Sequence, residues 1–102
     1  METKSAIAAL GALAQETRLD VFRLLVERGP EGLPAGAIAA ALDLPAASLS
    51  FHLKALNDAG MVWRARKGRT VVYAADFPRM EELLRFLTEN CCRGAGCDAP
   101  DV

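Results

Sequence analysis

The side chains with the most pointed chemistry lie at the end of the chain. Cys91, Cys92 and Cys97 all fall within the last twelve residues. Three thiolates with no imidazole beside them make a soft, all-sulfur donor set. Zinc ordinarily takes four ligands, so a zinc, cadmium or lead site here needs a fourth donor from elsewhere. Trivalent arsenic or antimony is satisfied by three sulfurs in a pyramid. The Arg93-Gly94-Ala95-Gly96 link is supple enough to fold Cys97 back over the vicinal pair. The same thiols can also form a redox switch, closing a disulfide between Cys97 and Cys91 or Cys92, or be a bystander tail. His52 is the only histidine. A lone imidazole suits a hydrogen bond better than a metal site.

Charge supplies the second chemistry. The chain carries a net charge of −1, which taken alone argues against nucleic acid. Its distribution argues the other way. Residues 43–72 hold five cations (Lys54, Arg64, Arg66, Lys67, Arg69) against two acids (Asp43, Asp58), a net +3, while residues 1–42 sum to −1 and residues 73–102 to −3. A basic patch on an acidic protein can serve as a footprint for phosphates, the acidic parts facing away. A solvated charged turn would carry the same count.

These groups need elements to position them. Ser5 to Leu13 predicts a first helix with Ile7, Leu10 and Leu13 on a narrow apolar stripe. Thr17 to Glu27 predicts a second, with Leu19, Val21, Phe22, Leu24, Leu25 and Val26 crowding a broad buried side. Gly29, Pro30 and Gly32 end it. Pro34 suits the first turn of a third helix whose buried face is Ile38, Ala41 and Leu42. Asp43-Leu44-Pro45 is a tight break before a fourth helix, about Ala46 to Ala59. Leu49, Leu53 and Leu56 face the core there, and Gly60 stops it. Two helices joined by so short a turn form a helix-turn-helix. Met61 to Arg66 and Thr70 to Ala75 predict two strands of a hairpin centred on Lys67-Gly68. Asp76-Phe77-Pro78 breaks the pattern, and a last helix runs from Arg79 to Asn90 with Met80, Leu83, Leu84 and Leu87 apolar.

The bulk numbers agree with one compact domain. At 102 residues, 52% hydrophobic and 25% charged, the chain is globular and has room for a modest core. No apolar run approaches the ~18–20 residues that span a bilayer. No basic start followed by an apolar block and a cleavage site marks it for export. With an odd number of cysteines, that favours free thiols and a cytoplasmic location.

The predicted class is therefore mainly α with a β-hairpin wing: four helices, two strands and a fifth helix, the order of a winged helix-turn-helix. Residues 1–90 would form the domain and 91–102 a cysteine-containing tail. A helix with small polar groups outward, followed by a cationic hairpin, suits a DNA groove and its flanking phosphates.

Linked motifs across roughly residues 5–90 also resemble one family. Leu13-Ala14-Gln15-Glu16-Thr17-Arg18-Leu19-Asp20-Val21-Phe22-Arg23-Leu24-Leu25 is similar to the opening of the ArsR/SmtB repressors. Ile38-Ala39-x-x-Leu42, Leu49-Ser50-Phe51-His52-Leu53-Lys54-x-Leu56, Ala59-Gly60-Met61-Val62 and Gly68-Arg69-x-x-x-Tyr73 continue the match in order. The resemblance implies a homodimer through the first and last helices, with Ile7, Leu10, Leu13, Met80, Leu83, Leu84 and Leu87 as interface candidates. It implies a fourth helix in the major groove of a partly palindromic operator. Ala46, Ala47, Ser48, Ser50, Phe51, His52 and Lys54 are then the candidates for DNA contact, and Arg66, Lys67 and Arg69 form the wing. Phe51 stands where a polar residue is common. It is either a thymine-methyl contact or a core aromatic.

The resemblance further implies release from DNA by an inducer. The arsenic-sensing prototype has a Cys-x-x-Cys-like cluster at its third helix, where this chain has Gly32 to Ile38 and no thiol. Zinc sensors carry Asp, His and Glu on the last helix, which here has no histidine. The Asn90-Cys91-Cys92 ending resembles an arsenite-responsive subgroup with a C-terminal three-cysteine site. Expected, then, are operator DNA and a second copy as partners, no constitutive cofactor, no membrane, and As(III) or Sb(III) as inducer at Cys91, Cys92 and Cys97. A thiol reductase is disfavoured, because no base and no phosphate-cradling loop accompany the thiols. A metalloid carrier would leave the basic wing without use.

Overall fold

A computed structural model of the chain describes residues 1–94. The helices are α1 (Thr3–Leu13), α2 (Glu16–Arg28), α3 (Ala35–Leu42), α4 (Ala46–Asp58) and α5 (Phe77–Thr88). The strands are β1 (Leu33–Pro34), β2 (Val62–Lys67) and β3 (Thr70–Ala75). A 3-10 turn, Cys91–Gly94, follows α5. This is the winged helix-turn-helix order, with one short strand more than the two expected.

The extra strand comes from the stretch before α3. Leu33 pairs with Tyr73 and Pro34 with Val72, so the antiparallel sheet runs β1-β3-β2 with β3 in the centre. Pro34 is tolerated because β1 is an edge strand. It precedes α3 as its N-cap instead of entering the first turn. Gly32, at φ +73°, is required here, since a Cβ would fall against the Tyr73 carbonyl oxygen.

Local chemistry sets the helix ends. The Gln15 side chain accepts from the Arg18 N–H at 2.8 Å and starts α2 one residue early. The Asp76 carboxylate accepts from the Arg79 N–H at 3.1 Å, so the segment read as a break is the cap and first turn of α5. Pro78 fits there, where its missing N–H is not needed. The helix stops at Thr88, short of Asn90. In the helix-turn-helix, Asp43 takes a left-handed conformation at φ 52°, and the Leu44 N–H bonds the Ala39 carbonyl at 3.0 Å. That turn bends α4 by 113° from α3, within the range for this motif.

The core collects Val21, Phe22 and Leu25 from α2, Ile38 from α3, Leu49, Leu53 and Leu56 from α4, Met61 and Val62 at the start of the wing, and Leu83 from α5. Leu19 is exposed, so the buried side of α2 is narrower than expected. On α3, Ala41 is exposed and Ala39 packs on the core in its place. On α1 the residues turned inward are Ala6, Ala9 and Ala12. Their small side chains let α1 lie close over α2, α4 and α5, and the larger Ile7 and Leu10 point outward.

Candidate nucleic-acid interface and thiol site

Helix α4 is fixed from behind by its leucine row. Leu49, Leu53 and Leu56 are all buried, a one-sided anchor that contributes of order 1.5–3 kcal/mol per leucine. The opposite side carries the expected contact residues. Ala46, Ala47, Ser50, Phe51 and Lys54 are exposed, and Ser48 and His52 are half-buried. The two readings of Phe51 separate here: with 67% of its surface in solvent it is no core aromatic. Its ring meets the His52 ring edge-on at 5.6 Å. Lys54 Nζ is 2.8 Å from Asp58 Oδ2, an exposed i,i+4 pair worth a few tenths of a kcal/mol. A DNA phosphate can take Lys54 over at little cost.

The hairpin differs slightly from expectation. Lys67 pairs with Thr70, so the two loop residues are Gly68 and Arg69 instead of Lys67 and Gly68. Gly68 has φ +66°, and Gly at the first loop position with positive φ matches a tight hairpin turn. Arg66, Lys67 and Arg69 are exposed at the tip. Arg64 lies on the same face of β2 as Arg66, by the alternation of a strand, and is exposed. It lines a cleft of about 400 Å³ with Ser50, Lys54, Asn57 and Tyr73. Arg64, Asn57 and Tyr73 therefore join the surface between α4 and the wing. None of the three stood among the candidates. Arg64 was visible in the charge count, but only the strand register turns it toward α4.

The dimer candidates divide. Ile7, Leu10, Leu84 and Leu87 are exposed, Ile7 at 63% and Leu84 at 55%. They lie on α1 and α5, which pack against each other. Leu13 and Met80 are half-buried against the core. Leu83 is a correction: at 4% exposure it fills its own subunit's core and cannot serve a partner.

Cys91 and Cys92 sit just beyond α5, both exposed, with their sulfurs 3.7 Å apart. Positive φ at Asn90 and Cys92 turns the backbone sharply there. Cys92 is disulfide-bonded. Cys97 lies outside the described residues. Among the described residues no three of His, Cys, Asp and Glu come together as a metal site. No single helix among them is long and apolar enough to cross a membrane.

The centre of the chain, residues 13–62, matches the family model described as a helix-turn-helix domain. Comparison with curated proteins brought no match. Solved structures match over most of the chain. An ArsR-like transcriptional regulator from Rhodococcus sp. RHA1 superposes with a TM-score of 0.78 at 24% identity, covering 88% of this chain and 82% of that one. The homodimeric winged helix-turn-helix DNA-binding domain of a Mycobacterium bovis protein, a possible ArsR-family regulator, does so at 0.67 and 24% identity, covering 94% and 89%. Reduced HlyU from Vibrio cholerae N16961 is 31% identical with a TM-score of 0.65, covering 83% of this chain and 90% of HlyU. With that identity over nearly all of HlyU and the helix-turn-helix at its centre, the chain belongs to the ArsR/HlyU family of winged helix-turn-helix transcriptional regulators.

Proposed function

We propose that the protein is a transcriptional repressor that binds operator DNA as a homodimer and leaves it when As(III), or Sb(III), is taken up by Cys91, Cys92 and Cys97. The observation that carries the DNA reading is the continuous surface formed by the outer side of α4, the Arg64 cleft and the cationic tip. Helix α4 enters the major groove, and Arg66, Lys67 and Arg69 hold flanking phosphates, which sets position more than sequence. Pairing through Ile7, Leu10, Leu84 and Leu87 places two recognition helices about one helical turn apart, ~34 Å, on a two-fold site. The homodimeric state of the Mycobacterium bovis domain supports that arrangement.

The inducer reading rests on donor chemistry. Two cysteine sulfurs 3.7 Å apart at the end of α5 offer, once reduced, a soft pair, and Cys97 supplies the third sulfur. Bound metalloid restrains the chain just past Leu84 and Leu87 and changes how the two subunits meet. Induction requires the metalloid to favour the DNA-free arrangement, by ~1–3 kcal/mol in typical linkage. Single Cys→Ser variants test this on a promoter duplex bound by the apo protein. Arsenite should release the wild type and fail to release Cys91→Ser, Cys92→Ser and Cys97→Ser. Release of all three variants would remove the metalloid from the thiols.

One observation favours a second reading, thiol redox sensing. Cys92 is disulfide-bonded, and HlyU has been solved in a form named reduced. Metalloid capture needs thiolates, so a reducing thiol must first open the bond by exchange, being oxidised to a disulfide itself. Release of the reduced protein from DNA by a disulfide oxidant without arsenite would favour this reading.

A further inference from the structure

His52 holds one ring nitrogen in an unusual position. Its Nδ1 is buried and has no hydrogen-bond partner. The residue as a whole is only half-buried, and Nε2 is not among the buried, unpartnered atoms. The two nitrogens therefore differ: Nδ1 is shut off from water without a partner, and Nε2 is not. Hydrogen-bonding rules then select the tautomer. A proton on Nδ1 would be a buried N–H with nothing to donate to, and such orphans are rare in folded proteins. A bare Nδ1 forfeits only an acceptor, and the proton on Nε2 is free to donate outward.

We propose that His52 meets DNA as a pure donor, its neutral ring carrying the proton on Nε2 and giving it to an acceptor on the operator. The proposal rests on α4 being the recognition helix and deepens that reading to a chemical preference. In the major groove such a donor fits purine N7, guanine O6 or thymine O4 and opposes the cytosine N4 and adenine N6 amines. On the backbone it fits a phosphate oxygen. The shared chemistry is an acceptor, and the base edge and the backbone are its two sources.

Because the chain has one histidine, long-range proton–nitrogen NMR of histidine-labelled full-length protein reports this ring alone. The neutral ring should show a bare Nδ1 and a protonated Nε2, without DNA present. A proton on Nδ1, or an even mixture, overturns the proposal whatever the DNA results. For binding, the probe is a duplex enriched on the wild-type protein from random DNA. His52→Gln brings an amide N–H near the place of Nε2, and His52→Asn near that of Nδ1. His52→Gln should bind within about three-fold of wild type and His52→Asn about ten-fold or more weaker, as expected for loss of one good base contact. Equal binding by the two, or the reverse order, overturns it.

The acceptor is located by two scans, base analogues lacking one N7, O6 or O4 at a time, and single methylphosphonates. A lesion that weakens the wild type but not His52→Ala places the acceptor on that base or that phosphate. If no lesion behaves so, the donor role is wrong. A wild-type chain that enriches no duplex removes the function reading itself. Wild-type binding with indifferent His52 variants removes only this proposal.

Discussion

A phenylalanine held out in water next to the one histidine is an expense the fold does not require. Phe51 is 67% exposed and lies outside the buried core cluster, so its value lies in what the surface meets. Phe51→Ala is expected to leave the urea midpoint unchanged within ~0.5 kcal/mol. It should weaken operator binding about ten-fold, concentrated on sites with a thymine under the ring, as read by fluorescence anisotropy on thymine and uracil duplexes. Gly32 should show the opposite behaviour. Gly32→Ala would strain a left-handed backbone and press on the Tyr73 carbonyl. A loss of ~2 kcal/mol or more in urea unfolding is expected, and a loss below ~0.5 would show that β1 yields. The sequence displayed the outward side of α4 because three leucines mark its inward side without ambiguity. It could not place Leu83. The apolar residues of α5 cover two sides of the helix, and only packing shows that Leu83 turns to the core and Leu84 and Leu87 away.

Among elements, the wing is where charge acts. Lys67, Gly68 and Arg69 form its tip on a two-residue loop, with Arg66 just behind. Replacing Arg66 and Arg69 with Ala should lower the slope of log affinity against log salt by about 2, since each lost phosphate contact removes ~0.9. Sequence preference should be unchanged. A slope that stays put would mean the tip points away from DNA. All five helices and the hairpin were readable from periodicity and stop signals. The short strand β1 was not, because two residues ending in proline carry no alternation. The start of α5 was hidden for a related reason. Asp76 and Pro78 are break signals in isolation and become a cap and a first turn only when apolar residues follow at helical spacing. The inverted α1, alanines inward and Ile7 and Leu10 outward, defeats a hydrophobicity reading. Such a reading sends the largest side chains inside, whereas close packing of this helix needs the smallest there.

At the scale of the whole molecule, the exposed apolar residues of α1 and α5 are the surface on which the proposed dimer is to form. Leu84→Glu, at a position already 55% exposed, should leave the circular dichroism of each subunit unchanged. It should turn the dimer into a monomer by sedimentation, and operator affinity should fall by about 10²-fold or more as the two half-sites are no longer read together. A dimer that persists would move the interface elsewhere. The pairing of β1 with β3 bears on how such a dimer lets go. Because Leu33 and Pro34 are laced to Tyr73 and Val72, the stem of the wing and the root of α3 form one plate, and α4 hangs from that plate by the Asp43 turn. This lacing ties the wing stem to the segment that leads into α3 and the reading helix. In the proposed dimer each subunit would swing as a lever about its subunit contacts, and a small rotation at the end of α5 would become a large sweep at Lys67. Spin labels on Lys67 and Ser48 of one subunit should keep their separation when arsenite is added, while labels on the two Lys67 positions of a dimer change theirs.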